Sequence, residues 1–496
     1  MQPRLVAALC LAAAAAAPAP ALRAQDRPSG ILARAIAPQF RGRIWRRATW
    51  GALVVSLTRG DTLFSYHADR RFLPASNAKL FTTAAALHYL GPGFRFVTVL
   101  VGDGPVRDST LNGNLVLYGT GDPTFGLDTA SLAPFADSVV LAGIRRIQGD
   151  MVGDASFLGG ELAGPGWSPG NVEEPYAAPP SALGAAANRI RIIVEPGPMP
   201  GAPARVTMLP PTDYFTVRSI VTTGRPRSRT RISVERGPPH GSVVLRGIIS
   251  PQRNEWSTEV VVRQPALFAA SLLRQLLEAR GVSVLGTTRS VTDDAPGRAR
   301  ALLARGRSQN GAPFDGALAV RNSPSLGDLV TMINHRSDNL SAELVFRSIG
   351  RSVGGAGTFA SGASAVARFL TVEVGIAPTS VQVTDGSGLS MLDAATPRSL
   401  VQLLAYERRA PEGAVFWRSL PAVGEGLQRR MEGTAAEGRL RAKTGTLNDA
   451  SALAGYVTTA QGEELAFSII VNGRQRTNRA RAVQDRIGVM LAKFSR

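Results

Sequence analysis

The sequence predicts a mixed helix–sheet fold, α+β in class, with one helix–sheet domain split between the two ends of the chain and a large β-rich insert between them. Three observations predict it. Before residue 95, an alternating hairpin pattern is followed by an Ala/Leu-rich helical run. From about residue 96, strand-like runs alternate with Gly/Pro turns for more than 200 residues. Helical patterns then return, and three more strand-like runs and a final helix close the chain. At 496 residues, two or more domains are expected.

Residues 1–24 read as a secretory signal peptide: Arg4, the apolar run Leu5–Ala17, then small residues, with cleavage expected after Ala21 or Ala24. The apolar run is too short to span a bilayer, and no later run of 18 apolar residues occurs. Cys10, the only cysteine, lies in this segment, and Leu9 before it does not suit lipid attachment. The mature chain is therefore expected to use no disulfide, thiol nucleophile or cysteine–zinc site. Export without a span points to the periplasm or the cell exterior.

Residues 25–95 form the first segment of the split domain. They begin polar and basic as far as Arg46-Arg47. Trp50–Leu57 and Thr62–Tyr66 read as a hairpin around Gly60-Asp61. Pro74 suits the turn before a helix, and Ser76 stands at the N-terminal edge of the helical run that ends near Leu87. The β-rich insert, 96–311, is expected to hold strands at Phe96–Val101, Gly113–Tyr118, Arg189–Glu195, Arg231–Val234, Ser242–Ile249 and Thr258–Arg263, a helix at Pro265–Ala279 and a polar loop at Asp293–Gly311. The second segment, 312–496, is expected to hold helices at Ser325–Arg336, Ser341–Ile349, Gly357–Val374 and Pro397–Glu407. Leu440–Thr446 then reads as an edge strand beside Ala452–Thr458 and Leu465–Asn472. The closing helix, Arg479–Phe494, is basic and amphipathic. Its apolar face is expected on the sheet, with weak membrane-surface contact as the other reading.

The net charge is +19, or +17 once Arg4 and Arg23 are removed with the signal. Such a charge admits an anionic partner, whether nucleic acid, a membrane face or a wall polymer. No basic block is interleaved with aromatics and aromatic content is 6%, so nucleic acid is not expected. The densest cluster, Arg225–Arg231, reads as a solvated loop or strand edge.

The 56 Lys+Arg residues comprise 53 arginines and three lysines: Lys79, Lys443 and Lys493. Arginine stays charged in proteins, whereas a buried lysine can give up its proton. A lysine retained at Ser76-x-x-Lys79 spacing is thus informative. Residues three apart on a helix share a face, with Cβ atoms about 5–6 Å apart. Taken alone, the pair also fits a capping serine and a solvated lysine. Two further patches change the balance: Ser337-Asp338-Asn339 between two helical patterns, and Lys443-Thr444-Gly445-Thr446 on the strand that opens the final sheet. The ordered set Ser-x-x-Lys, Ser-x-Asn, Lys-Thr-Gly is far more specific than any one member, and it occurs in serine β-lactamases and penicillin-binding proteins.

Around these patches the chain resembles the D-alanyl-D-alanine carboxypeptidase/endopeptidase family (peptidase family S13, class C low-molecular-mass penicillin-binding proteins). The likeness is carried by Pro74–Leu87, Gly121-Asp122-Pro123, Asp154–Phe157, Ala178–Leu183, Asp385–Ser390 and Lys443–Thr446 with Ala454-Gly455-Tyr456, and runs from about residue 45 to the C-terminus. Ser337 follows Ser76 by 261 positions, a gap this family fills with inserted domains, unlike simpler relatives.

The resemblance implies a serine DD-peptidase (β-lactamase-like) domain, with peptidoglycan peptides as substrates and β-lactams as covalent inhibitors. Ser76 is expected as nucleophile, Lys79 as a general base kept neutral by burial and by Lys443, and Ser337 as proton relay. Asn339 is suited to hold both Lys79 and the substrate amide. Lys443 with Thr444 and Thr446 would face a terminal carboxylate, Gly445 would permit close backbone approach, and the N–H groups of Ser76 and Thr446 would form the oxyanion hole. Asp154 reads either as a turn residue or as the acid that meets the stem-peptide amine. Asp385 is expected in a turn shaping the rim. Met391 stands where the family commonly has arginine; Arg398 lies nearby in sequence. No metal or other cofactor is needed. His67, His88, His240 and His335 are scattered, and His335 reads as a satisfied helix-end residue rather than a base. The alternatives are a serine β-lactamase, for which no Glu-x-x-Leu-Asn element is found between Ser76 and Ser337, and a non-catalytic binder of wall peptides or β-lactams, which has no need of neutralisable lysines.

Overall fold

The computed structural model describes residues 30–496 except 128–130, 238–240, 293–296, 298–299, 302–315, 428 and 475. The signal-peptide expectation with Cys10, His240 and most of the 293–311 loop lie outside the described residues.

The first segment contributes helix α1 (Gly30–Ile36), strands β1 (Ala48–Ser56) and β2 (Thr62–Tyr66), a 3-10 turn over Ala75–Asn77, and helix α2 (Ala78–Leu90). The middle of the chain contributes β3 (Val97–Gly102), β4 (Leu115–Gly119), α3 (Ala133–Leu141), β5 (Met151–Asp154), β6 (Arg189–Glu195), β7 (Arg205–Leu209), β8 (Thr216–Thr223), β9 (Arg231–Arg236), β10 (Ser242–Ile249), β11 (Trp256–Val261), α4 (Pro265–Glu278), β12 (Thr288–Val291) and β13 (Ala319–Asn322). The last segment contributes α5 (Leu326–Arg336), α6 (Asn339–Gly354), α7 (Phe359–Arg368), α8 (Pro397–Glu407), α9 (Gly413–Ser419), β14 (Leu440–Leu447), β15 (Ala450–Thr458), β16 (Glu464–Gly473) and α10 (Thr477–Lys493).

Both ends of the chain build one antiparallel sheet in the order β2-β1-β16-β15-β14. Strand side chains alternate between faces. On β15, Ala452, Ala454 and Tyr456 face the helices α2, α5, α6, α7 and α8, while Leu453 and Val457 face the opposite layer with α1, Trp50 and α10. Helix α10 places Val483, Ile487 and Leu491 in that opposite layer, which is the sheet-packed reading of its apolar face.

In the middle of the chain, a five-stranded sheet runs β12-β5-β4-β3-β13, so its edge strand comes from residues 319–322. Two three-stranded sheets, β7-β6-β11 and β8-β10-β9, share its hydrophobic core with α3 and α4. Strands β7 and β8 and helix α3 go beyond the sequence expectation. β7 alternates exposed and half-buried positions throughout and β8 over most of its length, so neither presents a strong apolar run. Arg225–Arg231 spans the connection from β8 to β9, with its arginines exposed.

Helix α6 joins the two cores. Ala342, Val345, Phe346 and Ile349 enter the helix–sheet core, while Leu340 and Leu344 enter the core of the middle sheets. Arg347, fully buried on the same helix, donates to Gly357 O at 2.9 Å and to the carbonyls of Gly159 and Pro180.

Candidate active site

Ser76 lies inside the 3-10 turn that precedes α2 rather than at a capping position, and Pro74 begins that turn. The residue before it, Ala75, has φ +49°, a left-handed conformation costing about 1–3 kcal/mol outside glycine. Gly388 packs directly over Ala75 O: a Cβ at Gly388, whose φ is +81°, would stand 2.0 Å from that oxygen. Strand β14 approaches from the other side, where a Cβ at Gly445 would stand 2.7 Å from Pro74 O. Both glycines let backbone press the turn into place.

Lys79, one turn beyond Ser76, is fully buried. Its Nζ donates to Ser76 Oγ at 3.1 Å, to Asn339 Oδ1 at 2.6 Å and to Ser387 O at 2.7 Å. All three acceptors are neutral. Burial brings its pKa down to about 8, against the opposing charges of Glu343, Asp385, Asp338 and Asp393. The two amines act on each other: burial and then the Lys79 charge hold Lys443 well below the ordinary lysine value, and the same repulsion disfavours charge on both at once.

Ser337 and Asn339 sit at the junction of α5 and α6. Ser337 ends α5 with φ +56°, and Asp338 caps α6 by accepting from Ser341 N–H at 2.7 Å. Lys443, on edge strand β14, donates to Ser337 Oγ at 2.9 Å and to Thr444 O at 3.1 Å. Thr446 Oγ1 accepts from Arg481 at 3.1 Å. Ser76, Lys79, Ser337, Asn339 and Lys443 thus join through two lysine-centred clusters, with Thr444, Gly445 and Thr446 continuing β14.

Other expectations fare differently. Asn339 gives its donor side to Tyr176 O at 2.8 Å, a partner within the chain. Asp154 lies at the end of β5 and accepts from Ser156 N–H at 2.9 Å; among the described residues none of its hydrogen bonds reaches the Ser76 cluster. Asp385 does form a turn but not at the rim. It is fully buried and accepts from the N–H groups of Ser387, Gly388 and Ser390 and from Trp167 Nε1. His335 is a helix-end residue as expected, yet its buried Nε2 has no hydrogen-bond partner among the described residues. Met391 is about half exposed, and Arg398 pairs with Asp69 at 2.6 Å.

Sequence reasoning missed Glu343, Ser387, Trp167 and Tyr176. Glu343 is fully buried on α6, where burial and then the charge of Asp385 push its pKa up to about 8. Among the described residues no cluster of metal-ligating side chains occurs, and no helix is long and apolar enough to cross a membrane.

A buried amine aimed at a hydroxyl, with a second amine–hydroxyl pair across an antiparallel sheet edge, can drive acyl transfer without a metal. The helix–sheet fold and the two lysine–serine pairs fit serine hydrolases of the penicillin-interacting class. Residues 39–494 match the D-Ala-D-Ala carboxypeptidase 3 (S13) family, and the chain belongs to it. It is 32% identical over 466 residues to a D-alanyl-D-alanine carboxypeptidase of an Actinomadura species, covering 90% of this chain and 82% of that protein. It is 25% identical over 449 residues to a D-alanyl-D-alanine carboxypeptidase of Haemophilus influenzae, covering 88% of each. The crystal structure of penicillin-binding protein 4 from Haemophilus influenzae superposes with a TM-score of 0.78 at 23% identity, covering 92% of this chain and 99% of that one.

Proposed function

We propose that Ser76 is the nucleophile of a penicillin-sensitive serine-type D-Ala-D-Ala carboxypeptidase that also splits peptidoglycan cross-links of the same bond type. The observation that carries this reading is the Lys79 amine, fully buried, 3.1 Å from Ser76 Oγ and bonded to neutral oxygens alone. Lys79 is the base that takes the Ser76 proton as Oγ attacks the carbonyl carbon. The N–H groups of Ser76 and Thr446 receive the oxyanion; each such donor is typically worth ~2.7–4 kcal/mol. As the C–N bond breaks, Ser337 relays to the leaving D-Ala amine the proton that Lys79 took from Ser76, giving up its own and accepting that one. Water then attacks the ester carbonyl, its proton passes to Lys79 and on to Ser76 Oγ as the C–O bond breaks, and the shortened peptide leaves.

Lys443 takes on full positive charge when the substrate's terminal carboxylate arrives, since an opposite charge favours the ammonium. Thr444 and Thr446 flank that carboxylate. In this reading residues 25–95 and 312–496 carry the chemistry, and the insert at 96–311 supplies Trp167 and Tyr176 to the site's edge. Asp154 stays as a secondary candidate for contact with the stem-peptide amine. The enzyme is exported and acts in the periplasm.

The test is incubation with a pentapeptide monomer and a cross-linked muropeptide dimer, with and without penicillin, read by mass spectrometry. Penicillin-sensitive loss of one D-Ala, splitting of the dimer, and a penicilloyl adduct on the Ser76 peptide are expected. Intact substrates with rapid penicillin turnover would replace this reading with a β-lactamase.

A further inference from the structure

Glu343 lies one helical turn beyond Asn339 on α6. Its two oxygens are taken by backbone: Oε2 accepts from Gly386 N–H at 2.7 Å and Oε1 from Ser387 N–H at 2.9 Å. Asp385 Oδ1 accepts from the N–H groups of Ser387, at 3.1 Å, and Gly388, at 2.6 Å. A trans peptide group is planar, so fixing its N–H on one side presents its C=O on the other. The Gly386 carbonyl accordingly accepts from Thr82 Oγ1 at 2.8 Å, and the Ser387 carbonyl from Lys79 Nζ at 2.7 Å. The Gly386 C=O shares its plane with Ser387 N–H, which Glu343 and Asp385 both hold, and the Ser387 C=O shares its plane with Gly388 N–H, which Asp385 holds; Glu343 thus sets the peptide plane next to the one that meets Lys79. Burying carboxylates is costly unless they are fully hydrogen-bonded, and here Glu343 bonds to this loop while Asp385 Oδ2 also accepts from Ser390 N–H at 2.8 Å and Trp167 Nε1 at 2.7 Å.

Resting on the assignment of Ser76 and Lys79 above, we infer that Glu343 is a positioning residue for the reaction: with Asp385 it fixes the 386–388 backbone so that Ser387 O holds the Lys79 amine against Ser76. Its charge also bears on that amine. The charged groups facing Lys79 are Asp338 and Glu343 from α6 and its cap, Asp385 and Asp393 from the loop before α8, and Lys443 from β14. Where ionised, the four carboxylates favour the ammonium, and Glu343, itself pushed up to about 8, does so as it loses its proton. Removing one of them makes Lys79 easier to deprotonate.

The test is Glu343→Gln. Glutamine keeps one acceptor and sets an NH2 group against the other N–H. Penicillin acylation is followed by stopped flow across pH 6–10, together with KM for a pentapeptide and the melting temperature. The limiting acylation rate is expected to fall by up to about 100-fold, the cost of a misplaced reacting group. KM should change little, and the rising limb of the pH profile should move to lower pH. Thr82→Val, nearly isosteric, loosens the same loop without changing charge; it should lower the rate less and leave the pH midpoint in place. A wild-type rate and pH midpoint in Glu343→Gln would overturn the inference. If that variant does not fold, a wild-type rate in Thr82→Val overturns it instead. Failure of the wild-type protein to acylate at Ser76 is a separate result, and it counts against the proposed function.

Discussion

The Nζ of Lys443 stands 2.9 Å from the Oγ of Ser337, which is held in a left-handed turn between α5 and α6. That contact gives the second serine an amine of its own. Ser337→Ala strands Lys443 without this acceptor and breaks the proton route to the leaving group. Steady-state kinetics on a pentapeptide should show kcat lower by about 10²–10⁴-fold, the usual worth of a positioned proton donor, with KM little changed.

Lys79→Arg tests the base directly. A guanidinium keeps its proton at any workable pH. Intact-mass spectrometry after penicillin exposure should show no adduct, although the positive charge is retained. Below about pH 8 the wild-type acylation rate should climb roughly tenfold per pH unit, then level off as Lys79 becomes neutral.

Gly388→Ala would force a Cβ to within 2.0 Å of Ala75 O, in a backbone conformation with φ +81°. The turn bearing Ser76 must then shift. A lower melting temperature and an acylation rate reduced by at least about 100-fold are expected, since the displaced carbonyl belongs to the residue beside the nucleophile.

Glu407 offers a pH test away from the site. It is buried at the end of α8, and desolvation, then the charge of Glu412, push its pKa up to about 8 from 4.5. Between these values the folded state holds a proton that the unfolded state has released. Its contribution is therefore fully present below pH 4.5 and is lost as pH rises to 8. Glu407→Gln should remove that slope. In urea melts the variant should gain on wild type from pH 5 to pH 8, by roughly 4 kcal/mol at most.

Arg347→Met would leave the buried carbonyls of Pro180 and Gly357 and the half-buried one of Gly159 without their donor. Each unsatisfied group costs about 1–3 kcal/mol, so the loss should be several kcal/mol by denaturant unfolding. Arg347→Lys should not rescue it, because a compact ammonium cannot reproduce the planar fork.

The catalytic patches are legible in the sequence because each needs scarce residue types at short fixed spacing, as Ser76 with Lys79 and Ser337 with Asn339 show. The final sheet is legible because Leu440–Leu447, Ala450–Thr458 and Glu464–Gly473 are dense apolar runs. The cradle beneath Lys79 is not. Glu343 reads as an ordinary polar helix position until folding sets it against the 386–388 backbone, some 43 residues away. Trp167 and Tyr176 arrive from the middle of the chain, and Tyr176 acts through its carbonyl, which no side-chain pattern reveals. Strands β7 and β8 escape for a related reason: half-exposed edges are held by pairing, not by apolar periodicity.

The burial of Lys79 and Lys443 has a practical side. Of the chain's three lysines, Lys493 alone has an exposed side chain. An amine-reactive fluorophore thus finds a single ε-amino handle, at the end of α10, and leaves the reaction centre unlabelled. Apart from the chain's α-amino group, the folded protein can be tagged at one side chain for surface immobilisation or single-molecule tracking without engineering a cysteine.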